Sequence, residues 1–235
     1  MAIAFDSVSD SNATSTSLTY AHTTSGDNRI LFVSVLLAGE HSDYLTGVTY
    51  GGVAMTQVGK VINANTGSTY LYVLFNPAVG ANNIVVNSSA SVAIYSQAES
   101  FTGARQSVLD GSNTSAVTNV TSITLSIITT ADNCWCISCP GAKNQAPTAS
   151  TGITTRGQAT PRIGDSNSAK TPAGSYSMTW VDGVTDNINM VMASFAPFIE
   201  SGPSNLKSLN TNLKANIKTI NGNPIANVKS LNTNV

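Results

Sequence analysis

Three cysteines lie close together in the segment CWCISC, and closely spaced thiolates are typical zinc ligands. Cys134 and Cys136 would share one face of a strand, whereas Cys139 would point to the other face. A structural zinc site takes four ligands, usually as two pairs, and the sequence has no second cluster. We therefore expect buried free thiols in a core strand, as a reducing compartment permits, and we predict neither a metal nor a cofactor.

The two histidines stand in different surroundings. His22 falls in phase with the apolar residues of STSLTYAHT, so we expect a packed side chain whose ring is satisfied by backbone. His41 lies in the loop segment AGEHSDY with Glu40 and Asp43, a trio that could ligate a metal. Short loops also gather acids for solubility, and we favour that interpretation here.

The acidic residues show no catalytic pattern. Glycoside hydrolysis needs two carboxylates facing one cleft. Glu99 lies in a strand segment and Asp110, Asp182 and Asp186 lie in turn segments, but spacing brings no two of them together. No nucleophile elbow, phosphate-binding loop or HExxH motif occurs. We predict no catalytic residue and a protein that is not an enzyme.

Sugar-binding sandwiches use exposed aromatic rings beside Asn and Asp. Four residues are candidates for such a platform: Tyr44, Tyr50, Tyr176 and Trp180. Each is equally an ordinary strand aromatic that packs in a core, and we favour that interpretation. The sequence therefore names no sugar-binding residue.

The segments that position these residues are typical of strands. Charged residues make up 10% of the chain, against roughly 25% in an ordinary soluble domain. RILFVSVLLAG is an apolar run of buried-strand length, and GVTYGGVAMTQVG indicates two strands joined at Gly51-Gly52. About ten to twelve short segments of this kind, with long loops over 140–174, predict an all-β, antiparallel β-sandwich of jelly-roll type.

The C-terminal segment NLKSLNTNLKANIKTINGNPIANVKSLNTNV repeats itself every eleven residues. The apolar spacing suits a right-handed helical supercoil, but the many Asn residues and Pro224 oppose a helix. We favour short strands separated by NTN and NGN turns, which must stack or meet a partner chain to bury their apolar faces. The residues predicted to mediate assembly are Leu206, Leu209, Ile217, Ile220, Val228 and Leu231.

We therefore expect a sandwich domain at 1–200, a linker at 201–204 and a repeat tail at 205–235 for assembly or anchoring. Residues 204–235 hold four lysines and no acid, so residues 1–203 keep seven basic and twelve acidic residues. Opposite charges would favour head-to-tail contact or docking on an acidic neighbour; the alternative is that the lysines only keep the tail soluble. No basic patch interleaves with aromatics and no apolar run reaches transmembrane length, so we predict neither nucleic-acid binding nor membrane insertion.

Six segments together resemble a jelly-roll-like β-sandwich domain that recurs in phage virion proteins and bacterial surface proteins: IAFDSVSDS, SLTYAHTTSGDNRILFVSVL, GVTYGGVAMTQVG, YLYVLFNPAVGANNIVV, SFTGA and MVMASFAP. The tail resembles the IKSINGL-like repeats that end some phage and environmental-bacterial proteins. Neither resemblance carries catalytic residues.

These observations together favour a non-enzymatic bacteriophage virion protein, either a capsid decoration, a head fibre or a tail-fibre component. Its expected partners are copies of itself, a trimer being one option, and other virion proteins. MAIAFDSVSD shows no signal-peptide pattern, so we expect synthesis in the host cytoplasm and location in the virion, with an extracellular surface as the alternative. Two other functions stay open: an adhesin module that binds host-surface glycans, and a filament subunit that assembles by strand complementation.

Overall fold

The computed structural model describes residues 1–39, 42–63, 67–142, 146–150, 152–156, 162–199, 219–220 and 223–224 of the 235-residue chain. Two units follow one another along the chain: Met1–Phe198, which we call the body, and Ile199–Val235, which contains the tail. Every regular element in the described ranges is a strand, and the strands pair antiparallel. The expected all-β, antiparallel sandwich is confirmed.

The described residues of the body form these strands: β1 (Ala4–Thr24), β2 (Ile30–Ala38), β3 (Leu45–Tyr50), β4 (Val53–Ala54), β5 (Thr56–Asn63), β6 (Gly67–Phe75), β7 (Gly80–Thr102), β8 (Gly111–Ile128), β9 (Trp135–Ala142), β10 (Thr148–Ala149), β11 (Gly164–Asp165) and β12 (Ser175–Phe195). Gly51 and Gly52 join β3 to β4 with φ of 56° and 79°, which confirms the predicted two-residue hairpin. Residues 140–174 contain β10, β11 and the end of β9, more strand than the sequence predicted.

Four strands are much longer than the short segments expected: β1, β7, β8 and β12 have 21, 23, 18 and 21 residues. NNIVVNSS and SVAIYSQAESFTG belong to the single strand β7, and GSYSMTWVDG and NINMVMASFAP to β12. The prediction of separate strands was wrong because the chain bends at bulges there and does not turn. The register of the β1–β7 pair shifts between Ser15 and Ser17. At this bulge, the four residues 88–91 of β7 lie opposite a single residue of β1.

The body consists of two repeats of one topology. The first sheet has the order β4-β3-β7-β2-β6-β5 with β1 on β7, and the second has β10-β12-β9-β11 with β8 on β12. Replacing β3, β7, β2, β6 and β1 by β10, β12, β9, β11 and β8 converts one order into the other. We call β1–β7 the first repeat and β8–β12 the second; β4 and β5 are additions to the first.

A short stretch of sequence carries the same duplication. SLTYAHTTSGDN (residues 17–28) and SITLSIITTADN (residues 122–133) align without a gap and end the first strand of each repeat. Asn28 and Asn133, which align, both adopt the left-handed conformation, with φ of 52° and 61°. The chain thus leaves β1 and β8 through the same turn.

Each long strand pair folds over itself and encloses an apolar cluster. Ile84 and Ile94 lie on either side of the bend in β7, yet both belong to the first cluster. In the second repeat, β12 shifts register between Val181 and Asp186 and encloses a third cluster that contains Trp180 and Met190.

A central cluster joins the two repeats face to face. Ile30 and Phe32 of β2 meet Ile137 of β9 there, while the alternate residues of β2 face the first cluster. Aromatic rings dominate the contact, with centroids 5.1 to 6.4 Å apart among Phe32, Phe101, Trp135 and Phe195. Strand β2 is therefore buried on both faces, between the first cluster and the central cluster. This explains its continuous apolar run.

In the tail, β13 (Thr219–Ile220) pairs antiparallel with β14 (Asn223–Pro224). β13 lies in NIKTI, which the sequence predicted as a strand, whereas β14 begins at Asn223, which the sequence assigned to an NGN turn. Ile220 lies in β13; the other predicted assembly residues lie outside the described residues: Leu206, Leu209, Ile217, Val228 and Leu231.

Candidate functional site

A polar stripe interrupts the apolar junction between the repeats. Tyr95, Gln97 and Glu99 alternate along β7 on the same face as Phe101, which belongs to the central cluster. That face is turned towards the second repeat. Three residues of the second repeat lie next to the stripe: Arg156, Arg162 and Asp165.

Gln97 holds the backbone of the second repeat at two points. Its side chain is fully buried, and its Nε2 donates a hydrogen bond to the Arg156 carbonyl at 2.9 Å. Its Oε1 accepts the Arg162 backbone N–H at 2.8 Å. One amide therefore binds the backbone both at Arg156 and at Arg162.

Arg156 and Asp165 form an ion pair beside the stripe. Arg156 Nε donates to Asp165 Oδ2 at 2.7 Å and Nη2 to Oδ1 at 3.2 Å, so the pair is bidentate. The Arg156 guanidinium also lies 3.9 Å from the centre of the Phe5 ring. Asp165 is fully buried, and the backbone N–H of Asn167 satisfies its carboxylate further.

Glu99 is a buried carboxyl group, and among the described residues neither of its oxygens has a hydrogen-bond partner. Burial raises its pKa well above the ordinary value; the negative charge of Asp165 adds to the rise and Arg156 opposes it. This position therefore favours the neutral acid over the carboxylate. Glu99 and Asp165 are neighbours in the interior, and both are fully buried.

Arg162 borders a shallow groove at the end of the stripe. Its guanidinium carbon lies 4.8 Å from the centre of the Tyr95 ring. Asp10, Ser11 and Asn12 of β1, the neighbours of Gln97, Ser96 and Tyr95 in the sheet, also line it. The groove thus brings a cation, a carboxylate, an amide and an aromatic ring together at the surface.

The three cysteines are buried free thiols, as predicted. Cys136 faces the third cluster and Cys139 the central one, so they point to opposite sides of β9. Burial raises the pKa of each of the three thiols to about 12. Within the described ranges, no group of three or more His, Cys, Asp or Glu side chains is placed to hold a metal ion.

His22 is packed as expected, but a side chain and not the backbone satisfies its ring. Its Nδ1 lies 2.8 Å from Ser9 Oγ, its Nε2 has no partner among the described residues, and its ring meets Tyr50 edge to face. Burial lowers the pKa of His22 to about 4, opposed by Asp6. Of the other trio, His41 and Glu40 lie outside the described residues, and Asp43 pairs with Lys60 and accepts a hydrogen bond from Tyr70.

The remaining acids hold structural positions. Asp182 and Asp186 lie inside β12, at its bulge, and not in the turns that the sequence indicated. Burial raises the pKa of Asp182, the N–H of Val184 opposes the rise and nearby Asp186 adds to it. The structure thus brings together two carboxylates that spacing had left apart.

The aromatic candidates are core residues. Tyr50 and Trp180 are fully buried; the Tyr50 hydroxyl donates to the Gly80 carbonyl at 3.0 Å, and Trp180 Nε1 donates to Ser138 Oγ at 2.9 Å. Tyr44 and Tyr176 are half-buried against the first and third clusters. None of the four forms an exposed platform.

Sequence reasoning missed Gln97, Arg156 and Arg162. Two arginines within a Ser-, Thr- and Gly-rich loop are conspicuous in a chain with so few charges, and they were the available signal. No residue pattern places them beside β7, because the Gln97–Arg156 contact spans 59 positions of sequence.

Two long strands expose an edge. β1 pairs with β7 and β8 pairs with β12, and within the described residues neither has a partner on its other side. Both strands are rich in Ser, Thr and Asn. No helix long and apolar enough to span a membrane occurs in the described ranges.

Comparisons with known proteins give no match to a family model, a curated protein or a solved structure.

Proposed function

We propose that this chain is a non-catalytic structural protein of a bacteriophage virion, a capsid decoration, head fibre or tail-fibre component. The body is displayed, and the tail assembles or anchors it among copies of itself and other virion proteins.

The architecture of the body supports a role in display. The central cluster, which is rich in aromatic rings, packs the two repeats against each other. Because such interiors are close-packed, the two repeats form one stiff block. Its surface relies on hydroxyls and amides, with few charges.

The buried chemistry of the body supports a non-catalytic role. The Glu99 carboxyl, the His22 ring and the three thiols are all enclosed in the body. Burial lowers the pKa of His22 and raises the pKa of Glu99 and of the thiols, so each group favours its neutral form. Neutral, enclosed groups suit packing better than nucleophilic or acid–base chemistry.

The single observation that carries the proposal is the eleven-residue repeat of the tail. Each unit places two apolar residues beside Asn and Lys, and one unit cannot bury its own apolar face. Six such side chains, at about 25 cal/mol per Å² of buried apolar area, contribute several kcal/mol per chain when chains associate. Burial of these side chains between chains therefore favours association through the tail, and shared ordering lowers its entropic cost.

Electron microscopy of the purified full-length protein tests this proposal. We expect particles of uniform copy number with several globular bodies around a shared stalk or base. Isolated single bodies at micromolar concentration would contradict it.

Strand complementation is the competing mode of assembly, and the open edges of β1 and β8 favour it. In that case the same images would show a filament of indefinite length.

A further inference from the structure

We propose that the groove between Tyr95 and Arg162 binds the carboxylate of an acidic saccharide. This goes beyond the assembly role, because a groove on the body needs no tail. It assigns the displayed body a ligand class and a residue that recognises it.

Arg162 is a cation without a counterpart. Its side chain is partly buried, and its guanidinium makes no hydrogen bond or ion pair within the described part of the chain. Its contact is with the ring of Tyr95. The Nε atom is buried without an acceptor. A partly desolvated charge that lacks a partner costs free energy, and an anionic ligand would offset that cost.

The guanidinium is held ready for a ligand. Buried Gln97 fixes the Arg162 backbone N–H, and the Tyr95 ring supports one side of the planar group. Arg162 therefore loses little freedom on binding, which favours affinity. A planar guanidinium matches a carboxylate in a two-point contact.

The β1 side of the groove selects the rest of the ligand. Asp10 and Asn12 lie beside Gln97 and Tyr95 on the same face of the sheet and provide an acceptor and an amide at the exposed edge of β1. Such groups suit the hydroxyls of a sugar. Asp10 also opposes a doubly charged phosphate, whereas a sugar acid brings one negative charge to Arg162 and neutral hydroxyls to Asp10.

The charge of the sandwich domain disfavours polyanions as ligands. Residues 1–203 carry seven basic and twelve acidic residues, so one arginine is not part of a basic patch. Nucleic acids and anionic membranes need many cations together. A short saccharide with one carboxylate at the binding position does not.

Titration calorimetry with the full-length protein tests the proposal, using a trisaccharide of one galacturonic acid and two neutral galactose residues, which carries a single carboxylate. The matched probe is the methyl ester of the same trisaccharide, which keeps the hydroxyls and loses the charge. We expect the acid to bind and the ester to bind at least about tenfold more weakly, a difference of about 1.4 kcal/mol. Inorganic phosphate and acetate serve as small-anion probes, and both should bind more weakly than the trisaccharide.

Variants locate the contact. Arg162→Gln should weaken binding of the acid by at least about tenfold, and Arg162→Lys should recover only part of it, because lysine lacks the two-point geometry. Arg105→Gln is the matched control and should bind like the parent. Unchanged melting temperatures would show that the variants are folded.

No binding of the acid, equal binding of acid and ester, or full affinity in Arg162→Gln would overturn the proposal. Phosphate bound as tightly as the trisaccharide would overturn the saccharide class. The acid–ester comparison needs no variant, so it decides the matter even if Arg162→Gln fails to fold. None of these outcomes depends on whether the tail assembles.

Discussion

Asp6 and Asp110 hold the same place in the two repeats of the body. The Asp6 carboxylate accepts the backbone N–H of Ser25 at 3.0 Å and its hydroxyl at 2.5 Å, and it accepts the Ser100 hydroxyl at 2.7 Å. It thereby ties the start of β1 to the turn that follows β1 and to the last strand of the repeat.

Asp110 makes the same contacts next to β8. It accepts the backbone N–H of Thr130 at 2.8 Å and its hydroxyl at 2.7 Å, and the Ser194 hydroxyl lies 3.4 Å away. The duplicated topology therefore includes a duplicated carboxylate contact.

We expect Asp6→Asn and Asp110→Asn each to lower the free energy of unfolding by about 1 kcal/mol, because each loses charge-assisted hydrogen bonds. The double variant should lose the sum, since the sites share no partner. Urea unfolding measures this. Asp27→Asn, at an exposed carboxylate, is the control, and a loss as large in the control would refute the assignment.

Glu99 should make the body less stable as pH rises. Its pKa is raised by burial, so the folded state keeps its proton above pH 4.5 while the unfolded state loses it. Stability should then fall by up to about 1.4 kcal/mol per pH unit until the folded pKa is passed. The difference between parent and Glu99→Gln, measured by urea unfolding from pH 4.5 upwards, should have this slope. A difference that does not vary with pH would contradict it.

His22 should have the opposite effect at lower pH. Its pKa is lowered to about 4, so the unfolded state binds a proton first as pH falls from 6.5. The parent should lose up to about 3 kcal/mol over that range relative to His22→Gln. Equal acid sensitivity of the two proteins would mean that the ring is charged in the fold.

The thiols should be inert in the native protein. Cys134, Cys136 and Cys139 are buried, and burial raises their pKa to about 12, so little thiolate forms at pH 8. A chromogenic disulfide reagent should label none of them natively and all of them in denaturant. Chelators should leave the melting temperature unchanged. Rapid native labelling, or a chelator-induced fall in melting temperature, would show an exposed or metal-bound site.

The sequence predicted the strands whose signal is local. RILFVSVLLAG became β2 because both its faces are buried, and Gly51-Gly52 formed a hairpin because both residues need positive φ. The bends were missed because residues 87–91, NSSAS, have the composition of a turn, and only pairing with β1 keeps them in a strand.

Local sequence patterns could not predict the polar stripe. Glu99 alone is an acid in a strand, and Arg156 alone is a loop cation; their proximity follows from the packing of one repeat on the other. The duplication is visible in the sequence only in SLTYAHTTSGDN and SITLSIITTADN, and twelve residues with few identities are a weak signal of a repeated fold.

Assembly through the tail would depend on the apolar residues that recur at fixed places in each eleven-residue unit. Ile217 with Ile220 is the apolar pair of the middle unit, and Ile220 lies in β13. Changing both to Asp places two charges where chains would bury apolar surface. Asn216→Asp with Thr219→Asp is the matched control, because it adds the same charge at neighbouring polar positions.

Light scattering coupled to size exclusion measures the mass directly. We predict that the full-length chain and the control elute as a multiple of 24.3 kDa, and that Ile217→Asp with Ile220→Asp elutes as a folded 24.3 kDa monomer. A parent protein that is monomeric, or a double Ile variant with the parent's mass, would contradict assembly through the tail.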